Sequence, residues 1–190
     1  MVGVPFAVCS SLDVLEGEME LLIFSDSHGR AENLLAAEAR QIKRPDAILF
    51  LGDGARDLSH LSIHDIPVWA VRGNCDWSSS DLADKTERLL HLEGHTLLMT
   101  HGHEWGVKGG LGALIAHAAD VGADIVLFGH THKPTLQTIA AGEQIGKAKL
   151  LRPMYLFNPG SIGYNEDGEG YSFGTLALKG ETVLFSHGRV

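Results

Sequence analysis

The sequence predicts one α/β domain whose C-terminal half is built from antiparallel strands. Three observations carry that prediction. Short apolar runs alternate with stretches of helical periodicity between residues 20 and 130. After residue 134 only short runs punctuated by glycine follow. A chain of 190 residues, 44% hydrophobic and 21% charged, can bury a core without disulfides or a structural metal.

The elements follow in order. ELLIF (20–24) is a buried strand, and RAENLLAAEARQIK (30–43) sets Leu34, Leu35, Ala39 and Ile42 at helical spacing before Pro45 stops it. DAILFLG (46–52) is a second strand, ARDLSHLS a short helical stretch and PVWAVRG (67–73) a third strand. RLLHLEGHTLLMTHG (88–102) reads as two strands around a tight turn at Glu93-Gly94. KGGLGALIAHAADVG (108–122) is an alanine-rich helix closed by Gly122, and ADIVLFGH (123–130) is an all-apolar strand. PTLQTIAAG, RPMYLFNPG, YSFGTLALKG and ETVLFSHG complete the chain as antiparallel strands. Residues 19–190 form one domain in this reading. Residues 1–18 are an upstream start or peripheral extension, since Met19 opens MELLIFSDSHG, a natural beginning for a first strand.

Composition narrows the partners. Fifteen basic against twenty-four acidic residues leave a net charge of −9 with no basic run, which argues against nucleic acid as a bulk partner. No apolar run is long enough to cross a bilayer, and the first eighteen residues lack the basic start of a signal peptide. Two cysteines, Cys9 and Cys75, are too few for a disulfide framework and fit a reducing cytoplasm.

The chemistry gathers at the ends of the strands. Asp26 and His28 follow the first, Asp53 the second, and Asn74 and Asp76 the third; His101 and His103 follow the strand at 95–100, and His130 and His132 the strand at 124–128. Taken singly, each has a plain reading: an Asp after a strand caps a helix, an Asn after a Gly forms a turn, and a lone His satisfies a hydrogen bond in the core. Five strand ends in sequence are hard to explain that way. In open α/β sheets ligands bind beyond the carboxyl ends of the strands, so these residues converge on one crevice. Their oxygen and imidazole donors suit manganese, iron, nickel or zinc. Seven candidates exceed the three protein ligands of a single catalytic zinc, and one carboxylate can bridge, which points to two divalent ions acting on phosphorus.

The segments SDSHG (25–29), LGD (51–53), RGNCD (72–76), LLMTHGH (97–103), LFGHTH (127–132) and NPGS (158–161) resemble the calcineurin-like metallophosphoesterases, specifically their small single-domain phosphodiesterase branch. The resemblance runs from about Leu21 to the C-terminus. It implies a four-layer α/β/β/α sandwich with two mixed sheets face to face. It also implies one metal on Asp26, His28, Asp53 and His132 and a second on Asp53, Asn74, His101 and His130, with Asp53 bridging. Manganese is favoured, with nickel, iron or zinc as alternatives. The implied reaction is in-line attack on a small phosphoester by a hydroxide bridging the metals, and the implied assembly is a homo-oligomer.

One position departs from the wider family: Cys75 stands where larger members carry a histidine beside the phosphate. A thiol is a poor stand-in for an imidazolium acid. Two expectations follow: His103 takes the acid role, or the substrate has a leaving group that needs little protonation, which favours diesters. Cys75 is otherwise a small buried residue. Asp76 orients His103 or pairs with Arg72, or else caps a turn. Trp77 and Trp105 flank the motifs and wall a pocket or pack the core. His60, His64, His91, His95, His117 and His187 read as surface or packing residues. VKGGLG (107–112) lacks the Walker spacing and is not a nucleotide loop. Two other functions stay open: a scaffold such as the retromer subunit of this fold, and a nucleotide pyrophosphatase or monoesterase on the same centre.

Overall fold

The computed structural model describes residues 18–62, 65–77, 83–165 and 168–190. The proposed extension (Glu18 apart), Cys9 and His64 lie outside them. The strands and helices, in chain order, are β1 (Met19–Phe24), α1 (Ala31–Ala39), β2 (Ala47–Phe50), β3 (Val68–Ala70), β4 (Glu87–Leu92), β5 (His95–Thr100), α2 (Gly112–Asp120), β6 (Ile125–Phe128), β7 (Thr135–Ile139), β8 (Gln144–Ile145), β9 (Ala148–Lys149), β10 (Met154–Asn158), β11 (Ser172–Lys179) and β12 (Thr182–Arg189). Two 3-10 turns lie at Ala55–His60 and His103–Trp105.

Two five-stranded mixed sheets make the fold, in the orders β12-β11-β1-β2-β3 and β4-β5-β6-β10-β7. Successive side chains of a strand face opposite ways, so each central strand feeds two cores and must be apolar at every position. Leu21 and Ile23 of β1 meet Leu97, Met99, Ile125 and Leu127 of the second sheet between the layers. Leu22 and Phe24 turn outward onto Leu34 and Ala37 of α1 and Leu58 of the 55–60 turn. Leu98, Val126 and Phe128 do the same beneath Leu114 and Ala118 of α2. The layers run α/β/β/α, as the resemblance implies.

Local chemistry explains the joints. Glu93 and Gly94 both have positive φ, the two-residue turn that matches strand twist, and β4 and β5 pair antiparallel around it. Helix α2 ends on Gly122 at φ +75°, where the Gly122 amide bonds Ala119 O and the Ala123 amide bonds Ala118 O.

Three expectations need correcting. The 30–43 helix spans only Ala31–Ala39, and Ile42 is fully exposed, its apolar spacing notwithstanding. The 108–122 helix begins at Gly112, because Gly109 and Gly110 stay in the preceding turn. The C-terminal half is not purely antiparallel: β10 pairs antiparallel with β7 but parallel with β6. The short β8–β9 ribbon had no readable signal.

Candidate metal centre

Strands β1, β2 and β3 run parallel in one sheet, and β5, β6 and β10 in the other. Their carboxyl ends meet at one edge of the sandwich, where Asp53 Oδ2 lies 3.4 Å from His101 Nε2 and Asp26 Oδ1 lies 3.2 Å from His132 Nε2. The predicted ligands therefore arrive from both sheets. They gather in two groups of converging donor atoms, Asp26–His28–His132 and Asp53–His101–His130, and a third set, His28–Asp53–Cys75, overlaps both. Asp53 Oδ2 stands between the groups, 3.8 Å from His28 Nε2 on the other side. Asn74 joins the second group through Oδ1, 3.2 Å from His101 Nε2.

These atoms fit metal ions better than they fit each other. Asp26 Oδ1 and His28 Nε2 are buried and make no hydrogen bond, an arrangement that costs free energy unless something else satisfies them. Ligand atoms about 2.1 Å from one ion lie about 3.0 Å apart at octahedral corners and about 3.4 Å at tetrahedral ones. The separations of 3.2 to 3.9 Å around Asp26 Oδ1 and Asp53 Oδ2 are close to that spacing. The remaining valences are tied to the protein. Asp26 Oδ2 accepts from the Ser25 hydroxyl (2.5 Å) and the His130 amide (3.1 Å), and Asp53 Oδ1 accepts from the Cys75 amide (2.7 Å). His101 Nδ1–H donates to Leu51 O at 2.7 Å, which turns Nε2 toward the centre.

The backbone is strained here and almost nowhere else. Six non-glycine residues among those described have φ in the left-handed region, and five are Asp26, His28, Asp53, His130 and His132. Each such conformation costs roughly 1–2 kcal/mol and persists only where surrounding contacts over-determine it. Gly73 is required for a different reason. A Cβ there would stand 2.1 Å from Asp53 Oδ1, so any other residue would push the central carboxylate aside.

Charge follows geometry. Burial alone would raise the Asp26 carboxyl, but the His132, His28 and His101 rings and the Ser25 hydroxyl hold it far below the ordinary carboxylate range. Burial is likewise outweighed at Asp53, where His101 and the Cys75 contacts bring the carboxyl down to about 2. Burial pushes the His101 imidazole down, yet Asp53, Asp26 and the Leu51 carbonyl leave it above its usual value. His130 falls to about 4 through burial and the neighbouring charges of His101 and Lys108, so it is neutral with a free lone pair at pH 7.

The loops that aim these side chains are themselves tied down. Asp57 accepts from the Ser27 hydroxyl (2.6 Å) and the Gly29 amide (2.8 Å), bracing the Asp26–His28 turn. From the 158–164 loop, Ser161 Oγ donates to Asp26 O and Asn158 Nδ2 to Gly129 O. Tyr164 stacks on His132 at 5.1 Å and tilts over His28 at 4.7 Å. Asp57 and Tyr164 gave no sequence signal, because each acts across a long stretch of chain; only the NPGS likeness hinted at the closing loop.

The proposed catalytic trio divides. Asp76 does not orient His103 or pair with Arg72: its two oxygens accept the amides of Asp53, Gly54, Ala55 and Gly73 at 2.9 to 3.1 Å. It is a positioning carboxylate that binds the Asp53 turn to the 73–76 turn. Cys75 is exposed rather than buried, and partial desolvation of the thiol together with the negative charges of Asp53, Asp76 and Asp26 pushes it up to about 11, so it stays protonated. His103 stands beside His101 and His130, ring centroids 5.3 and 6.1 Å away, with a buried Nδ1 that has no hydrogen-bond partner. Burial and the charge of His101 lower its basicity. Trp77 is exposed, while Trp105 stacks on His117 and packs against the α2 core.

Two facing mixed sheets with aspartate, asparagine and histidine donors at one edge describe a class of metal-dependent phosphoesterase. The chain belongs to the calcineurin-like phosphoesterase superfamily, whose domain profile matches residues 19–181. It is 33% identical over 169 residues to the protein named probable metallophosphoesterase YsnB of Bacillus subtilis, covering 88% of this chain and 90% of that one. It is 33% identical over 120 residues to phosphodiesterase YfcE of Escherichia coli, spanning 57% of this chain and 52% of that one. A structure from Streptococcus pneumoniae described as a predicted phosphoesterase superposes with a TM-score of 0.67 at 21% identity, covering 90% of this chain and 89% of its own. Vps29 from Entamoeba histolytica superposes with a TM-score of 0.61 at 18% identity, covering 90% and 99%. These last two speak for the fold alone.

Proposed function

We propose that this protein is a phosphodiesterase working with two divalent metal ions, manganese first among them. Asp26, His28, Asp53 and His132 would hold one ion and Asp53, Asn74, His101 and His130 the other. The observation that carries the reading is Asp53 Oδ2, which faces His28 at 3.8 Å and His101 at 3.4 Å while the other carboxylate oxygen is fixed by an amide. When bound, two divalent ions draw in an anionic phosphoryl group and lower the pKa of water to about 7.

The protein's own residues supply position and charge. Asn74, a neutral amide, adds a donor without another negative charge beside Asp26 and Asp53. His103, beside His101 and His130 and lowered in basicity chiefly by burial, suits a hydrogen bond to a phosphoryl oxygen better than the standing imidazolium of a strong general acid. The protonated Cys75 thiol adds no acid of useful strength either. A site with neither acid favours esters whose leaving group departs unprotonated, which is the ground for preferring diesters; the name of the Escherichia coli relative agrees. We take the substrate to be small, the setting cytoplasmic, residues 19–190 one functional domain, and a homo-oligomer the assembly. No helix among the described residues is long and apolar enough to cross a membrane.

The test is hydrolysis of bis(p-nitrophenyl) phosphate beside p-nitrophenyl phosphate by chelator-stripped protein, with Mn, Ni, Zn or Mg restored singly. Metal-restored turnover with diester ahead of monoester is expected. Monoester ahead would move the assignment to a monoesterase. Metal uptake with turnover of neither would favour the scaffold reading, which the Vps29 likeness supports only at the level of fold.

A further inference from the structure

Beside the metal centre lies a cavity of about 430 Å³ that none of the proposed ligands lines. Its walls are Val107, Lys108, Leu111, Phe128, Thr131, Lys133 and Thr135. It adjoins the centre along the ends of β5 and β6 in the second sheet: Thr131 sits between His130 and His132, and Val107 packs against Gly102, between His101 and His103. The floor is apolar, with Val107 and Phe128 buried, and the rim carries two ammonium groups. Neither Lys108 nor Lys133 has an ion-pair partner among the described residues. That lining contains no acid, in a chain with twenty-four acidic and fifteen basic residues. Its polar groups are otherwise accounted for, since the Thr131 hydroxyl accepts from Asn158 Nδ2 and from the Lys133 amide. The first turn of α2, capped at Leu111, has no side chain bonding its free amides, which adds positive potential on the same side.

We propose that this cavity receives the non-reacting arm of the substrate and selects an arm with an apolar body ending in a second anionic group, a carboxylate or a further phosphate. The inference rests on the phosphodiesterase reading. The volume is of ligand-binding size, roughly 300–1,000 Å³ in known sites, and suits an aromatic or sugar-sized body. The apolar floor takes that body and the two lysines take its charge. In the reaction, oxygen from water bonds to phosphorus as one water O–H bond breaks and its proton passes to solvent, the P–O bond to the leaving alkoxide or phenolate breaks, and the arm in the cavity departs with the monoester.

A matched pair of diesters tests it: p-nitrophenyl 4-carboxyphenyl phosphate and p-nitrophenyl phenyl phosphate, assayed on the wild type, Lys108→Gln, Lys133→Gln and the double variant. The readout is the ratio of kcat/KM between the two esters. The wild type should favour the carboxylate ester through KM. Each substitution should lower the ratio about fivefold, the upper end for an exposed ion pair, and added salt should lower it in the wild type. A ratio near one in the wild type, or one that the double variant leaves unchanged, overturns the proposal. If neither ester is turned over, the phosphodiesterase reading has failed. The cavity is then judged by titrating 4-carboxyphenyl phosphate into the Mg-loaded protein and following its amide NMR shifts. Shifts at Leu111, Thr131 and Lys133 that weaken in the double variant support it, and their absence overturns it.

Discussion

Strands β5 and β6 carry a histidine–aspartate cluster at each end, and the two clusters are built on opposite principles. At the amino ends, buried His95 sets both ring nitrogens against acceptors, Nδ1 2.7 Å from Asp124 Oδ2 and Nε2 3.0 Å from Gly180 O. Asp124 is completed by the Thr96 amide at 2.7 Å and by Arg152 at 3.3 Å. His95 and Asp124 have no left-handed backbone. At the carboxyl ends, His101, His130 and His132 meet Asp26 and His28 from the end of β1, where His28 Nε2 and Asp26 Oδ1 are buried without a hydrogen bond, on residues held at φ +47° and +55°. One cluster closes the sandwich. The other holds strain and unmet donors that a ligand must satisfy. The residue types are the same, and what separates a structural cluster from a functional one is how completely the protein satisfies it.

The contrast can be broken by substitution. Asp53→Asn should lower diester turnover at least about a thousandfold, since several kcal/mol of charge stabilisation leave with the shared carboxylate, and it should weaken uptake of both ions. Unchanged metal content in that variant, measured by elemental analysis, would remove Asp53 from the centre. At the other pole His95→Ala should cost about 3 kcal/mol of stability in denaturant melts, because Asp124 is left buried and under-satisfied, while metal content stays as in the wild type. A loss of metal there would mean the two poles are not independent.

Smaller effects sharpen the picture. Ser161→Ala removes the hydroxyl that holds the Asp26 carbonyl and should reduce metal affinity about ten- to a hundredfold; a change in stability without a change in affinity would make that loop merely structural. The smallest effect is in pH and belongs to the metal-free protein. His130 is depressed to about 4 against about 6.5 unfolded, so its contribution is present above about pH 6.5 and lost as pH falls toward 4. Asp53, depressed to about 2, acts only below about pH 4. His101 is raised, so its contribution is full below about pH 6.5 and lost as pH rises through its folded value. Thermal melts from pH 6.5 to 4 should therefore show falling stability, and His130→Asn should flatten that slope; an unaltered slope would assign it to another group.

The candidate ligands were legible because each is the first polar residue after an all-apolar run, and parallel strands must deliver their ends to one edge. The hairpin at Glu93-Gly94 and the stop at Gly122 were legible because turn chemistry is local. Helix α1 read too long because Ile42 keeps apolar spacing after the helix has ended, and spacing alone cannot say that a side chain points into water. The parallel neighbour of β10 was hidden, since a strand's partner is decided by packing of distant segments. Asp57, Ser161 and Tyr164 act on residues 28 to 136 positions away, so nothing beside them in the chain announces their work. Asp76 was seen but misassigned: a carboxylate after Gly-Asn-Cys reads equally as a catalytic group or as an acceptor for turn amides, and only its four amide donors decide.

On the proposed function, the unsatisfied cluster takes two ions joined by Asp53. Equilibrium dialysis of the chelator-stripped wild-type protein against Mn²⁺, with bound metal counted per chain, tests it most directly. Two ions per chain are expected in the wild type, with a loss of both high-affinity sites in Asp53→Asn. A single ion per chain, or two that Asp53→Asn retains, would contradict it.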